Sequence, residues 1–185
     1  MKDFGDEVVQ TEDKITGDSP VLDNTEFLVS YRYRHILKPD VLDRFPRRVI
    51  NLHISCLPWN RGCHPNVWSF IEDSQKGVTI HYIDPGVDTG DILAQEEVQF
   101  SSTETLRTSY NTLSARIEEL FKRTWPDIRR GRMEARPQPP GGSVHKMKDL
   151  KTIDHLFVKG WDTPVADLIG KGVEPRDRGS LMERQ

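Results

Sequence analysis

Cysteine is scarce in this chain, with Cys56 and Cys63 the two thiols among 185 residues. Two thiols cannot build a disulfide framework and read as reduced side chains of a cytosolic protein. Long apolar runs are missing too. Nothing approaches the length needed to cross a bilayer, and the N-terminus lacks the charged and apolar regions of a signal peptide. No excess of one charge sign exists either, since the formal net charge is -3, which leaves no global electrostatic footprint for nucleic acid. Internal repeats and long low-complexity tracts are absent. These absences predict a soluble, cytoplasmic chain that neither enters membranes nor binds nucleic acid, with length for one domain and a real core.

The most informative stretch is Asn51-Leu52-His53-Ile54-Ser55-Cys56-Leu57-Pro58. It follows Arg48-Val49-Ile50, and the run of β-branched and apolar residues giving way to Pro58 and Gly62 predicts a buried strand entering a loop. Side chains alternate along a strand, so Asn51 and His53 share one face while Ile50 and Leu52 share the other. An amide that donates and an imidazole that donates or accepts then stand side by side.

A second stretch, Gly77-Val78-Thr79-Ile80-His81-Tyr82-Ile83, alternates and predicts a strand ending in an Asp84-Pro85-Gly86 turn. Asp88 follows in the loop, and Asp91-Ile92-Leu93-Ala94 starts another extended run. Strand ends in an open α/β sheet are where ligands usually sit. Taken singly, an Asn-x-His pair is ordinary loop hydrogen bonding and Asp88-Thr89-Gly90 a common turn. Their order, spacing and flanking strands favour a site.

Metal binding is the rival chemistry. His53, Cys56, Cys63 and His64 offer four ligand types in a short span, but the six residues between the cysteines do not fit zinc spacing. Asp84, Asp88 and Asp91 lack the alternate ligands and closing glutamate of a calcium loop. No metal is expected.

The stretch from Phe27 to Phe100 resembles the 10-formyltetrahydrofolate-dependent formyltransferases, whose pattern is roughly N-x-H-x-S-x-L-P-x-x-x-G followed by D-x-G-x-D-x-G. The chain departs from the commonest version at Ile54, where many members have proline, and at Cys56, where leucine is usual. The resemblance implies Asn51, His53 and Asp88 as the catalytic set, and transfer of a formyl group to the primary amine of a small acceptor. Asn51 and His53 would donate to the oxygen that becomes negative, contributions of roughly 2.7–4 kcal/mol per donor in other acyl-transfer sites. Asp88 would orient His53 or a water and help carry the proton.

For the folate, the resemblance implies backbone around Tyr31, Arg32, Tyr33, Arg34, His35 and Ile36, with Ile83, Asp84, Gly86 and Val87 as the opposing wall. Trp59, Asn60 and Arg61 are the acceptor-side candidates, because they sit in the active loop and an arginine there suits a phosphate. A nucleotide-linked amino sugar is the favoured acceptor, since the segment from Gly141 to Leu150 is closest to the short additions of sugar-nucleotide N-formyltransferases. Glycinamide ribonucleotide and methionyl-tRNA are the alternatives, and a truncated, non-catalytic folate-binding relative is a reading from another class.

The rest of the chain predicts an α/β, Rossmann-like core with a mostly parallel sheet. Short strands are expected at 6–11 and 26–30, a brief helix at 39–45 opened by Pro39, and a helix at 65–71 in which Trp68 and Phe70 read as core. Family members begin with a strand and helix that precede anything visible here, so the first βα unit is expected to be lacking. Ser101 and Glu104 are spaced as a capping box for a helix whose stripe of Leu106, Tyr110, Leu113, Ile117, Leu120 and Phe121 packs on the sheet, and Pro126 should end or kink it. The expected division is a catalytic core over 1–136, a Pro/Gly linker over 137–146, and a helical appendage and tail over 147–185. The appendage either covers the acceptor site or forms a homodimer contact; nothing in the pattern decides between them.

Overall fold

The computed structural model describes residues 1–172; the expected tail beyond them lies outside the described residues. A four-stranded sheet has the order β1 (Leu28–Ser30), β2 (Val49–His53), β4 (Gly77–Tyr82), β5 (Ile92–Glu97), and a separate two-stranded sheet pairs β3 (Arg61–Gly62) with β6 (Val144–His145). Strands β1 (Leu28–Ser30) and β2 (Val49–His53) run parallel. Helix α1 (Pro39–Leu42), with Pro39 in its first turn, lies between them.

The expected Rossmann-like α/β layering is present, but the sheet is mixed rather than mostly parallel. Strand β4 (Gly77–Tyr82) runs antiparallel to β2, and β5 (Ile92–Glu97) runs antiparallel to β4. The crossover that holds helix α2 (Pro65–Ile71) stays at the strand end where it began, because Thr79 of β4 bonds the Ser55 carbonyl and the Leu57 N–H just past β2. The chain therefore enters β4 from the end at which it left β2, with His53 opposite Thr79 and Ile50 opposite Tyr82.

Ile50 and Leu52 face the main core with Val78, Ile80 and Leu93. Helix α3 (Leu106–Ile128) closes that core with Leu113, Ile117, Leu120 and Trp125. The alternation read in β2 thus has its physical counterpart: one face of the strand is core, and the other is free to carry Asn51 and His53.

Two expected details differ, and a third resolves between its alternatives only in that the helix does not end at Pro126. Residues 6–11 form no strand; a 3-10 turn at Lys2–Phe4 precedes an extended segment anchored through Asp6, which accepts from Trp125 Nε1 at 2.6 Å and pairs with Arg129. The α3 cap lies one turn later than Ser101, because Ser101 Oγ is taken by the Thr103 amide at 3.3 Å. Thr105 and Thr108 form the box instead, each side chain accepting from the other's backbone N–H. Pro126 does not stop the helix, which runs on to Ile128 because buried Trp125 and Ile128 hold its last turn against the core.

Part of the expected linker over 137–146 is itself paired into a sheet. Strand β6 (Val144–His145) pairs parallel with β3 (Arg61–Gly62). The segment after it forms four short 3-10 helices among the described residues. Their Ile153, Val165 and Leu168 share a second core with Val67, Trp68, Phe70 and Ile71 of α2. Among the described residues no helix is long and apolar enough to cross a membrane.

Candidate active site

Strand β2 ends with Asn51 and His53 facing the loop after β4, and Asp88 meets both. Asn51 Nδ2 donates to Asp88 Oδ1 at 3.1 Å, and His53 Nδ1 lies 3.6 Å from Asp88 Oδ2. The Gly62 backbone N–H donates to Oδ2 at 2.8 Å. His81, opposite Asn51 on β4, brings Nε2 to 3.4 Å from Asp88 Oδ1 and 3.4 Å from Asn51 Nδ2. Four residues of three separate segments therefore converge on one carboxylate.

The loops explain why. Asp84 Oδ1 accepts from the Gly86 N–H at 3.0 Å and from Thr89 Oγ1 at 2.6 Å, closing the turn that leads to Asp88. A Cβ on Gly90 would stand 2.0 Å from the Tyr82 carbonyl oxygen, so this close return of the chain needs glycine. Asp88 itself has a φ of 51°, a left-handed conformation that Asp and Asn tolerate better than most residues. Behind β2, buried Thr79 donates to the Ser55 carbonyl at 2.7 Å and accepts from the Leu57 N–H at 3.2 Å, pinning the loop to β4.

Electrostatics follow from burial. His53 is 6% exposed; burial pulls its pKa below the ordinary value, outweighing the opposite pull of Asp88 and of the Asn60 carbonyl. Burial alone would raise Asp88. The imidazoles of His53 and His81 and the Gly62 N–H outweigh it and hold the carboxyl well below the usual carboxylate range. His53 Nε2 lies 3.1 Å from the Asn60 carbonyl oxygen. That oxygen only accepts, so Nε2 carries the hydrogen and a neutral ring leaves Nδ1 bare toward Asp88. Although three titratable groups meet here, no group of three or more His, Cys, Asp or Glu among the described residues is arranged to hold a metal ion.

A cavity of about 360 Å³ opens where the start of β2 meets the end of β4, at Val49 and Ile83. Leu42, Phe45, Val49, Ile83 and Pro85 give it apolar walls, and Asp43, Arg47 and Asp84 give it polar edges. Of the residues expected at the folate, Ile83 and Asp84 line the cavity, while Gly86 and the 47% exposed Val87 lie farther along the same loop. The cavity lining does not include the stretch from Tyr31 to Ile36. Tyr31 donates to Glu118 on α3 at 2.8 Å, Arg32 stacks over Tyr31 and Tyr110, and Tyr33 donates to the Asp13 carbonyl at 2.7 Å. Arg34 pairs with Glu12, His35 packs edge-on to Tyr33, and Ile36 is exposed.

The acceptor-side candidates divide. Trp59 stands half-exposed, and Arg61 reaches the Ser143 carbonyl at 3.4 Å. Asn60 is fully buried and faces inward. Two contributors escaped the sequence reading. His81 needed the pairing of β2 with β4 to be known, because only that register places it beside Asn51. Gln138, in the expected linker, donates to the carbonyls of Asp88 and Gly90 at 2.8 and 2.9 Å, and its proline-rich surroundings gave no hint of this.

Comparison with known proteins shows the family. The family described as formyl transferase matches residues 10–124. Among curated relatives, a methionyl-tRNA formyltransferase of Thermodesulfovibrio yellowstonii is 36% identical over 132 residues, which are 71% of this chain and 42% of the relative. A dTDP-4-amino-4,6-dideoxyglucose formyltransferase of Mycobacterium bovis is 33% identical over 131 residues, covering 68% of this chain and 56% of that one. The chain thus spans about half the length of these curated relatives. Among solved structures, the formyltransferase PseJ of Anoxybacillus kamchatkensis, in complex with UDP-4,6-dideoxy-4-formamido-L-AltNAc and tetrahydrofolate, superposes with a TM-score of 0.90 at 54% identity over 92% of this chain and 90% of that one. With the family matched across both halves of the Asn51, His53 and Asp88 cluster, the chain belongs to the formyl transferase family.

Proposed function

We propose that the protein transfers a formyl group from 10-formyltetrahydrofolate to the amine of a nucleotide-linked 4-amino sugar, with a UDP-linked 4-amino-4,6-dideoxy sugar as the leading acceptor. The observation that carries this reading is the likeness to PseJ, which extends over nine-tenths of both chains and whose bound sugar carries a 4-formamido group. The apolar cavity at Ile83, Asp84 and Pro85, on the loop that leads to Asp88, suits the flat ring system of a folate, and its size falls in the range of small-molecule clefts. Leu42, Phe45, Val49 and Ile83 would hold the ring, with Asp84 and Arg47 at its polar edge. The folate supplies the activated formyl carbon: its bond to the acceptor nitrogen forms as its bond to the folate nitrogen breaks, and one proton passes from the first nitrogen to the second.

The chain's own residues manage that proton. Neutral His53 presents bare Nδ1, the basic nitrogen that takes the proton from the acceptor amine. The imidazolium so formed lies between the Asp88 carboxylate and the Asn60 carbonyl, which stabilise it. Its new Nδ1 hydrogen is then available to the developing oxyanion and to the leaving nitrogen. Both amide hydrogens of Asn51 already face acceptors, Asp88 and His81. Release of the longer, 3.4 Å contact to His81 would free one for the oxyanion. Trp59 and Arg61 stand on the acceptor side of the loop, with the guanidinium suited to a diphosphate. A cytoplasmic location is part of the same proposal.

The test is release of tetrahydrofolate with UDP- and dTDP-linked amino sugars, glycinamide ribonucleotide and methionyl-tRNA as acceptors. Turnover with a UDP-linked 4-amino sugar is expected. Turnover with methionyl-tRNA or the ribonucleotide alone would replace the acceptor class, and folate binding without turnover on any acceptor would favour a non-catalytic binding module.

A further inference from the structure

Asn60 occupies an unusual place for a loop residue. It is 0% exposed, has a φ of 58°, and every polar group it owns is engaged. Its backbone N–H donates to Ser143 Oγ at 3.0 Å, its Nδ2 donates to Glu72 Oε2 at 2.8 Å, and its Oδ1 accepts from Ser74 Oγ at 2.8 Å. Ser143 Oγ in turn donates to Glu72 Oε2 at 2.6 Å. The remaining group, the carbonyl, accepts from His53 Nε2 at 3.1 Å.

These contacts tie three separate parts of the chain to one imidazole. Glu72 and Ser74 follow α2, Asn60 belongs to the loop after β2, and Ser143 precedes β6. Backbone bonds from the Arg61 N–H to the Ser143 carbonyl at 3.0 Å and from the Cys63 N–H to the His145 carbonyl at 2.9 Å hold the late segment against the loop. His145 stacks on Trp68 of α2 at 3.9 Å with the rings 5° from parallel.

Building on the formyl-transfer reading above, we propose that Asn60 is a positioning residue: clamped by Ser143, Glu72 and Ser74, its carbonyl fixes His53 as the Nε2–H tautomer and so reserves Nδ1 for the proton of the acceptor amine. In the Nδ1–H tautomer the bare Nε2 would face the carbonyl oxygen lone pair to lone pair and leave that buried acceptor without its donor, which is costly, so the ring is not free to exchange tautomers while this carbonyl is in place. With the carbonyl displaced, the Nδ1–H tautomer becomes competitive, because Nδ1–H can donate to Asp88. That form has no basic nitrogen on the reacting side. The late segment around Ser143 thereby acts on the reaction without touching a substrate.

The experiment is nitrogen NMR of histidine-labelled protein together with steady-state kinetics, on the unaltered chain and on Ser143→Ala and Asn60→Gly. Glycine accepts the positive φ at position 60 without strain, so Asn60→Gly removes the clamp and keeps the turn. The unaltered chain is expected to show His53 as the Nε2–H tautomer. Both variants are expected to move the His53 signals toward tautomer averaging and to lower kcat about tenfold, with KM for 10-formyltetrahydrofolate unchanged. An Nδ1–H signal in the unaltered chain overturns the proposal, and so do folded variants whose His53 signals do not move. Absence of formyl transfer in the unaltered chain would sink the functional reading, while the His53 spectrum alone would still decide the tautomer.

Discussion

Gly62 donates its backbone N–H to Asp88 Oδ2 at 2.8 Å, and a Cβ on Gly62 would stand 2.3 Å from the His145 carbonyl oxygen. One residue therefore sets the carboxylate and permits the β3–β6 pairing at the same time. Its φ of 86° adds a second reason for glycine. Gly62→Ala is expected to destabilise the fold by about 1–3 kcal/mol through backbone strain and to lower formyl transfer more than it lowers folate affinity. Chemical denaturation read beside steady-state kinetics checks both. Unchanged stability and turnover would show that the loop accommodates a side chain.

The directions of the two central pKa shifts predict how stability and activity vary with pH. The folded-state pKa of His53 lies below its unfolded value near 6.5, so the unfolded chain takes up that proton first. Stability from this group is complete above about pH 6.5 and declines as pH falls through the lower folded value. Asp88 is likewise depressed, and its contribution is present above the unfolded value near 3.8 and declines only below it. His64, also lowered by burial, shares the upper window. The difference in unfolding free energy between the unaltered chain and His53→Gln should therefore shrink below pH 6.5. On the same basis kcat/KM should have an acid limb with its midpoint below 6.5, as Nδ1 becomes protonated.

His81 is 1% exposed, and its Nδ1 donates to the Tyr82 carbonyl at 2.7 Å, which leaves Nε2 as an acceptor facing Asn51. His81→Phe keeps the bulk of the ring and removes that acceptor. The Asn51 amide then loses one of its two anchors. A fall in kcat on the order of tenfold is expected, corresponding to the net worth of about one hydrogen bond, with KM for the formyl donor little changed. A variant as fast as the unaltered chain would make His81 a packing residue only.

Asp6 accepts from Trp125 Nε1 at 2.6 Å and pairs with Arg129, and Arg129 also donates to the Phe4 carbonyl at 3.2 Å. Burial would raise the Asp6 pKa, but the hydrogen bonds from Trp125 and Arg129 lower it on balance. Asp6→Ala leaves the buried indole N–H unpaired, a loss of about 1–3 kcal/mol. Thermal unfolding should report it, while KM and kcat stay unchanged because the anchor lies on the α3 side of the sheet, away from Asp88.

The two cysteines should differ in reactivity. Cys56 is 4% exposed and its thiol is pushed up to about 11, mainly by burial. Cys63 is only partly covered. Alkylation of the folded protein near pH 8, followed by mass spectrometry, should therefore label Cys63 well before Cys56. Equal labelling would mean that the loop around Cys56 opens on the timescale of the reagent.

Much of the site was legible before any coordinates. The alternation of Ile50, Asn51, Leu52 and His53 follows from the period of a strand, and the turn residues around Asp88 follow from Asx-turn and glycine chemistry. Helix α2 and the apolar stripe of α3 were legible for the same reason, because each depends on neighbours within a few residues. Tertiary structure alone decided the antiparallel β4, since strand direction depends on the end of the sheet at which the crossover is held, here by Thr79 against Ser55 and Leu57. It also decided the roles of His81, Gln138 and Asn60, which rest on contacts between residues 30 to 83 positions apart. The cap of α3 moved because Ser101 found a nearer partner. By itself, then, the amino-acid sequence determined which side chains of β2 and of the loop after β4 are candidates for the chemistry, and the strands and turns that present them. Which nitrogen of His53 carries the hydrogen was left to the packing of the loop against Ser143, because a tautomer is chosen by its hydrogen-bond partner and no local pattern encodes a partner so far along the chain.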